Sequence, residues 1–411
     1  MNDPDTGTPM ERIALQRDNQ QWVFDWMVKE TGRVYHFQPD GRGDLPRAVR
    51  SHAMISKHLG QAGARLEKLA HEESAAGHQH TAADLYYRAA LSFMAAQHTV
   101  FGNSPEKIHL HGSLLRCYDQ VRSHAPYRIE HIDVEWNGVT VSGNLHLAPA
   151  EGPAPCVFFI PGCDVTKESW PNPAFNQAAQ RGMHVFSFDG PGQGESNLRG
   201  IKLEADSYEH AASAAVGMLL ARPEISRIGV YGLSFGSFWA LRLAALDDRI
   251  TAVAAPWATY CDLNYLMTQE SPRFKQLFAY LTQARDEAEL DAVTSRMTLL
   301  DHVGRITVPT LLVSGEYDPR SPLEAVYEMY DAMRAPAELW VYADQFHHTS
   351  MSGGSRRALW EADVHATTCD WLRDRFDGRP QPHAGEVLYL ESGRTGPYSP
   401  DAPAKRHWYE G

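Results

Sequence analysis

The 411-residue chain has little of several things, and each shortage excludes a class of protein. No uninterrupted apolar run approaches the ~18 residues that a membrane-crossing helix needs, so no membrane partner is expected. Residues Met1 to Arg12 lack a basic stretch followed by an apolar core, so no secretory leader is expected either. Positive charge is in the minority. Against 51 Asp and Glu stand 38 Lys and Arg, a net charge of -13, which is the wrong sign for nucleic acid or an anionic lipid surface. The five cysteines, Cys117, Cys156, Cys163, Cys261 and Cys369, are odd in number and fall in no metal-like pair spacing. They read as reduced thiols of a cytoplasmic protein. The histidine pairs His78 with His80 and His109 with His111 are two residues apart, which on a helix puts the members on different faces, so no metal site is expected.

What is present is a chain long enough for one large domain and a smaller one. Up to about Ser123 it reads as helical. Thr81 to Phe101 carries Leu85, Tyr86, Ala89, Ala90, Phe93, Ala96 and Val100 at intervals of three and four, with Thr81 as the expected cap. Gly102 to Pro105 stops that helix, and another is expected over Glu106 to Arg122. Tyr86, Tyr87, Phe93 and Met94 are read as packing between helices in preference to lining a pocket.

The pattern changes at Tyr127. Ile132 to Trp136 and Val139 to Leu147 alternate with period two about Asn137-Gly138, which predicts a hairpin. Continuous apolar runs then predict buried strands at Cys156 to Ile160, His184 to Phe188, Ile228 to Gly232, Thr251 to Ala255, Thr310 to Ser314 and Glu338 to Tyr342. Helices are expected between them at Asn172 to Gly182, Tyr208 to Ala221, Pro322 to Met333 and Arg357 to Phe376. Alternation of this kind predicts an α/β fold, a mostly parallel, doubly wound sheet covered on both faces. Beyond Asp377 only Val387, Leu388 and Leu390 offer apolar anchors, and a mobile tail is expected.

Gly232-Leu233-Ser234-Phe235-Gly236 follows one of these strands and precedes a helical pattern, the context of a nucleophile elbow. With Gly and Ser each near ~7% of residues, about one chain in seven of this length matches Gly-x-Ser-x-Gly by chance. The context must therefore carry the reading. A serine nucleophile needs a base and an acid to orient that base, and in this architecture they follow in the order serine, acid, histidine. Asp318 lies in the loop directly after a buried strand, where the acid belongs; Glu316 is the fallback, and Asp301 precedes the strand, at the wrong end. After the next strand stand two adjacent histidines. His347 is taken as the base and His348 as the alternative, because spacing does not separate them. The oxyanion hole is expected from the amides of Phe235 and of Cys163, in the Pro161-Gly162-Cys163-Asp164 loop. A reactive thiol at Cys163 is the lesser alternative, since no histidine accompanies it at a recognisable spacing. Asp189-Gly190-Pro191-Gly192-Gln193-Gly194 lacks the lysine of a phosphate loop and the third glycine of a dinucleotide fingerprint, so it is read as a structural turn. No cofactor is expected.

Pro161-Gly162 through Glu168, Phe188 to Glu195, Gly232 to Gly236, Gly315 to Asp318 and the late histidine together resemble the α/β-hydrolases with a helical amino-terminal domain. That family includes FrsA-type esterases, 2,6-dihydroxypseudooxynicotine hydrolases and fungal polyketide-shortening hydrolases. Tyr86-Tyr87-Arg88-Ala89 is similar to a helix motif of the same family, which has one further residue between the tyrosines and the arginine. The resemblance implies an α/β-hydrolase fold, a Ser-Asp-His triad without cofactor, a small-molecule carbonyl substrate, a cleft between the helical part and the core, and a homodimer. It divides the chain into a helical domain at 1–125, a core at 126–376 with a cap near 257–305, and an extension at 377–411. Trp257 and Tyr260, in the cap, are candidates for contact with substrate. The bond cleaved would be an ester, or a carbon-carbon bond beside a ketone. Peptidase action, or a hydrolase fold that only binds or rearranges its ligand, are the competing readings.

Overall fold

The computed structural model describes residues 49, 52–257, 262–263, 266–267, 272–318, 320–343, 345–347, 349 and 363–390. Among them three helices come first: α1 (His52–Ala75), α2 (Gln79–His98) and α3 (Pro105–His124). Leu85, Tyr86, Phe93, Leu110, Leu114 and Tyr118 bury together between α2 and α3, and Leu59 and Leu66 of α1 close over them. The helix periodicity thus has a packing consequence. Ser104 caps α3 by accepting the Lys107 amide, and Pro105 occupies the first turn, where its missing N–H costs nothing. Thr81, in contrast, is no cap. Gly77 turns the chain at φ 85°, and α2 begins straight after it at Gln79, which leaves Thr81 inside the helix.

The hairpin β1 (Ile129–Trp136) and β2 (Val139–His146) follows, with Asn137 at φ 48° and Gly138 at φ 76°, the left-handed pair that a tight two-residue connection requires. The chain then alternates. In order come β3 (Ala154–Ile160), β4 (His184–Asp189), α4 (Gly194–Leu198), α5 (Ser207–Leu220), β5 (Ile225–Gly232), α6 (Gly236–Leu246) and β6 (Ile250–Ala255). After the short helices α7 (Pro272–Thr282), α8 (Glu287–Thr294) and α9 (Leu300–Val303) come β7 (Thr310–Gly315), α10 (Leu323–Ala332), β8 (Ala337–Tyr342), α11 (Asp363–Phe376) and β9 (Val387–Leu390). The nine strands form one sheet in the order β1-β2-β4-β3-β5-β6-β7-β8-β9. β2 is antiparallel to both its neighbours, and every pair from β4 to β9 is parallel.

The continuous apolar strands are explained by burial on both faces. Phe158 and Ile160 of β3 belong with α5 and α6 on one side, while Val157 and Phe159 join Trp170 and α11 on the other. Two elements differ from expectation. Asn172 to Gly182 is not a helix but two 3₁₀ turns, Pro173–Phe175 and Ala179–Arg181. The side chains of Asn172 and Asn176 accept the Ala174 and Ala179 amides at 3.0 Å each, which closes local turns in place of a continuing helix. The tail contributes a strand at Val387–Leu390: β9 pairs with the edge of β8 from Leu339–Val387 to Tyr342–Leu390, and residues 391–411 lie outside the described residues. Without β9 the strand β8 would present a row of unpaired backbone groups at the edge of the sheet, and β9 pairs along Leu339 to Tyr342 of it.

Two buried histidines lie in the layer where the helices meet the core. His146 of β2 sits between the hydroxyls of Tyr118 and Tyr127, at 3.1 and 3.3 Å, and burial lowers its pKa from 6.5 to about 3. Burial likewise lowers His111 of α3 to about 4. An unfolded chain takes up these protons near 6.5, before the folded one does, so acidification favours unfolding. The two histidines contribute stability that is lost between roughly pH 6.5 and pH 4, and over that range the thermal unfolding midpoint of His146→Gln should fall with a shallower slope, or rise more, than that of the parent protein. A variant with the slope of the parent protein would show that this histidine does not carry the effect.

Candidate active site

β5, β7 and β8 run parallel, so their carboxyl ends deliver three loops to one edge of the sheet. The first is the turn from β5 into α6. Ser234 holds φ 55°, a strained value for a residue with a side chain, and the flanking glycines explain how that is accommodated. A β-carbon on Gly232 would meet the Gly236 carbonyl at 2.2 Å, and one on Gly236 would meet the Ile160 carbonyl at 2.1 Å. The serine is thus pressed against β3, and only glycine fits on either side.

The second and third loops are stitched to each other by backbone. Glu316 N–H donates to Tyr342 at 3.0 Å and Tyr317 N–H to Gln345 at 2.8 Å. Asp318 and His347 are brought together by this pairing, each only 3% exposed. Asp318 Oδ2 lies 2.9 Å from His347 Nδ1, and its Oδ1 accepts the Arg320 amide at 2.9 Å. His347 Nε2 lies 2.7 Å from Ser234 Oγ. Since Nδ1 faces an acceptor-only carboxylate, it carries the proton, and Nε2 is left to accept from the serine hydroxyl. Glu316, the fallback acid, instead accepts from the Tyr389 hydroxyl on β9 at 3.0 Å. Asp301 is in α9. His348, the alternative base, and Tyr260 lie outside the described residues.

Phe235 is the residue before α6, its ring packed against Phe238, Trp239 and Phe278 of α7, which leaves its backbone at the amide end of the helix beside Ser234. Gly162 abuts the serine from the other side; a β-carbon there would stand 3.3 Å from Ser234 Cβ. Cys163 follows. It is one of the residues lining a cleft with Gln97 and Lys107 of the helical layer, Gln193, and Leu277 and Tyr280 of α7. Trp257 is 3% exposed and does not line that cleft. Its indole donates to the Thr349 carbonyl at 3.1 Å, which ties down the chain two residues beyond His347.

Sequence reasoning passed over the support of the loop after β3. Lys167, wholly buried, reaches Glu168 at 3.0 Å, Asp189 at 3.2 Å, and Glu195. Burial alone would drive the proton off Lys167, but the three carboxylates hold its pKa above the ordinary value. The Asp189 carboxylate also accepts the Lys167 amide at 2.7 Å. A β-carbon on Gly194 would stand 2.0 Å from Asp189 Oδ2, so the glycine-rich turn is shaped around this charge cluster. The one available signal was the conjunction of a lysine with the Asp-Gly-Pro-Gly-Gln-Gly-Glu string, and nothing local links them.

A doubly wound sheet with a serine elbow, an acid loop and a histidine loop at its carboxyl edge defines an α/β-hydrolase. Residues 61–281 match the model of the FrsA-like esterases, and residues 208–362 that of acetyl xylan esterase (AXE1). The chain is 30% identical over 275 residues to 2,6-dihydropseudooxynicotine hydrolase of Paenarthrobacter nicotinovorans, 65% of this chain and 72% of that one. It is 27% identical over 246 residues to the α/β hydrolase gkaG of Penicillium citrinum, spanning 57% of that protein's length. The crystal structure of 2,6-dihydroxy-pseudo-oxynicotine hydrolase superposes with a TM-score of 0.69 at 26% identity, over 82% of this chain and 92% of that one. The chain belongs to the FrsA-like α/β-hydrolase family, and it is a hydrolase.

Replacing Lys167 by Met would leave three carboxylates facing one another without their cation. The expected loss is about 3–5 kcal/mol of stability, read as a lower midpoint in denaturant unfolding. A midpoint equal to that of the parent protein would mean that the cluster is not structural.

Proposed function

We propose that the protein is a serine hydrolase of a small-molecule carbonyl compound. The observation that carries the reading is the continuous chain from Ser234 Oγ through His347 to Asp318, at 2.7 and 2.9 Å. Ser234 Oγ attacks the carbonyl carbon while its proton passes to His347 Nε2, and Asp318 stabilises the imidazolium. The carbonyl oxygen takes the electron pair and is met by the Phe235 and Cys163 amides. Collapse of the tetrahedral adduct expels the leaving group, which receives the proton from His347. Water, deprotonated by His347, then attacks the acyl-serine and releases the acid.

The leaving group decides the substrate class. An alkoxide leaves from an ester; an enolate carbon leaves from a 1,3-dicarbonyl compound or an acylated phenol ring, with the carbon-carbon bond broken. Family membership supports both. In this reading the helices up to residue 125 and the cap near 257–305 enclose the substrate; what supports it is that Gln97, Lys107, Leu277 and Tyr280 line a cleft with Cys163, the neighbour of the Gly162 that abuts Ser234, although Ser234, Asp318 and His347 do not themselves line it. A homodimer, the assembly the family resemblance implies, belongs to the same proposal and is tested by light scattering.

A fluorophosphonate probe should label the protein, and Ser234→Ala should abolish labelling. Asp318→Asn should lower turnover by a factor on the order of 10⁴, measured on whichever of a p-nitrophenyl ester panel, a 1,3-diketone panel or a set of acylated phenols the parent protein cleaves. Undiminished labelling of Ser234→Ala would remove the nucleophile from the proposal.

A further inference from the structure

The Cys163 amide can serve an oxyanion only if the peptide plane between Gly162 and Cys163 is turned the right way. A trans peptide holds its C=O and N–H on opposite sides, so whatever fixes the Gly162 oxygen also aims the Cys163 hydrogen. Gln193 Nε2 donates to that oxygen at 2.8 Å. The amide orientation of Gln193 is unambiguous on chemical grounds, because a carbonyl only accepts and must face the nitrogen. Gln193 Oε1 then faces the Tyr208 hydroxyl, which donates to it at 2.6 Å. Gly190 N–H donates to the same hydroxyl at 3.3 Å, completing the oxygen's role as both donor and acceptor.

The relay is rigid at each link. The Tyr208 ring stacks on Trp239 of α6 with centroids 4.0 Å apart and planes 6° from parallel. It also presses on Gly190, where a β-carbon would come within 2.5 Å of the ring. Gln193 is 2% exposed and flanked by Gly192 and Gly194, whose positive φ values of 85° and 43° set the direction in which its side chain leaves the turn. Gly162 does not need Gln193 to satisfy its carbonyl, which the Val165 amide already reaches at 3.3 Å. The second donor therefore adds direction to an acceptor that is already satisfied.

We propose that Gln193 is a positioning residue for the reaction: braced by Tyr208, it fixes the Gly162–Cys163 peptide plane so that the Cys163 amide faces the developing oxyanion beside Ser234. The inference rests on the serine-hydrolase reading above. It gives the glycine-rich turn a part in the chemistry, through the side chain in it that reaches the Gly162 carbonyl.

The test is the rate of covalent inactivation by a fluorophosphonate, which needs no knowledge of the natural substrate. Ser234 Oγ bonds to phosphorus, fluoride leaves with the bonding pair, the seryl proton goes to His347, and the phosphoryl oxygen draws on the same amides as a carbonyl oxyanion would. Gln193→Met keeps the length of the side chain and removes the donor. It should lower the limiting inactivation rate about ten- to a hundredfold, with the probe's half-saturation concentration changed less than about twofold. Tyr208→Phe, which keeps the stacked ring, should give a smaller loss with the same split, and decides the matter alone if Gln193→Met does not unfold cooperatively. A merely structural role would lower the amount of folded protein without changing the limiting rate of the folded fraction. Failure of the parent protein to label would overturn the serine-hydrolase reading itself. Labelling of both variants at the parent rate would overturn the positioning role and leave Ser234 as nucleophile.

Discussion

A buried ammonium group is the constraint from which the serine-facing edge of the sheet takes its shape. Lys167 stands in the loop after β3, and its three carboxylates come from the next residue, from the end of β4 and from the first turn of α4. A lone cation in this interior would be untenable, and so would three anions; only together are they stable. Two loops that the sheet merely brings near one another are thereby locked. One carries Gly162, which abuts the serine, and Cys163 after it, and the other holds Gln193 against Gly162.

The helical layer is built onto the same region. Tyr87 of α2 donates to the Ser169 carbonyl at 2.9 Å, and Asn103, before α3, donates to the Asn197 carbonyl at 3.0 Å. Tyr280 of α7 in turn donates to Asn103 Oδ1 at 2.9 Å. Residues of α2, α3, α7 and the glycine-rich turn therefore meet around the cleft that Cys163 lines.

Much of this was legible in residues close in sequence. The hairpin about Asn137-Gly138, the buried strands and the helix over α2 follow from periodicity and turn chemistry, which are local properties. The misreadings have local causes too. Thr81 has the right side chain for a cap, but Gly77 had already freed the helix to start earlier. Asn172 and Asn176 fold their side chains onto nearby amides, which a count of apolar residues does not register. The few apolar anchors at Val387 to Leu390 point to a mobile tail, but a strand at the edge is held by its neighbour's backbone as much as by its own side chains.

By itself the sequence determined the fold class, the strand-turn-helix around Ser234, and the places of Asp318 and His347 in the loops after β7 and β8, because each depends on the residues immediately around it. Tertiary structure decided which groups meet. Ser234 and His347 are 113 residues apart, and Asp318 and His347 are 29 apart. Their contact depends on two loops paired through backbone hydrogen bonds at the ends of β7 and β8. The same holds for Lys167 among its carboxylates and for Gln193 between Tyr208 and Gly162. Hydrogen bonds and buried ion pairs act over about 3 Å, a distance set by how elements pack and not by the propensity of any one of them.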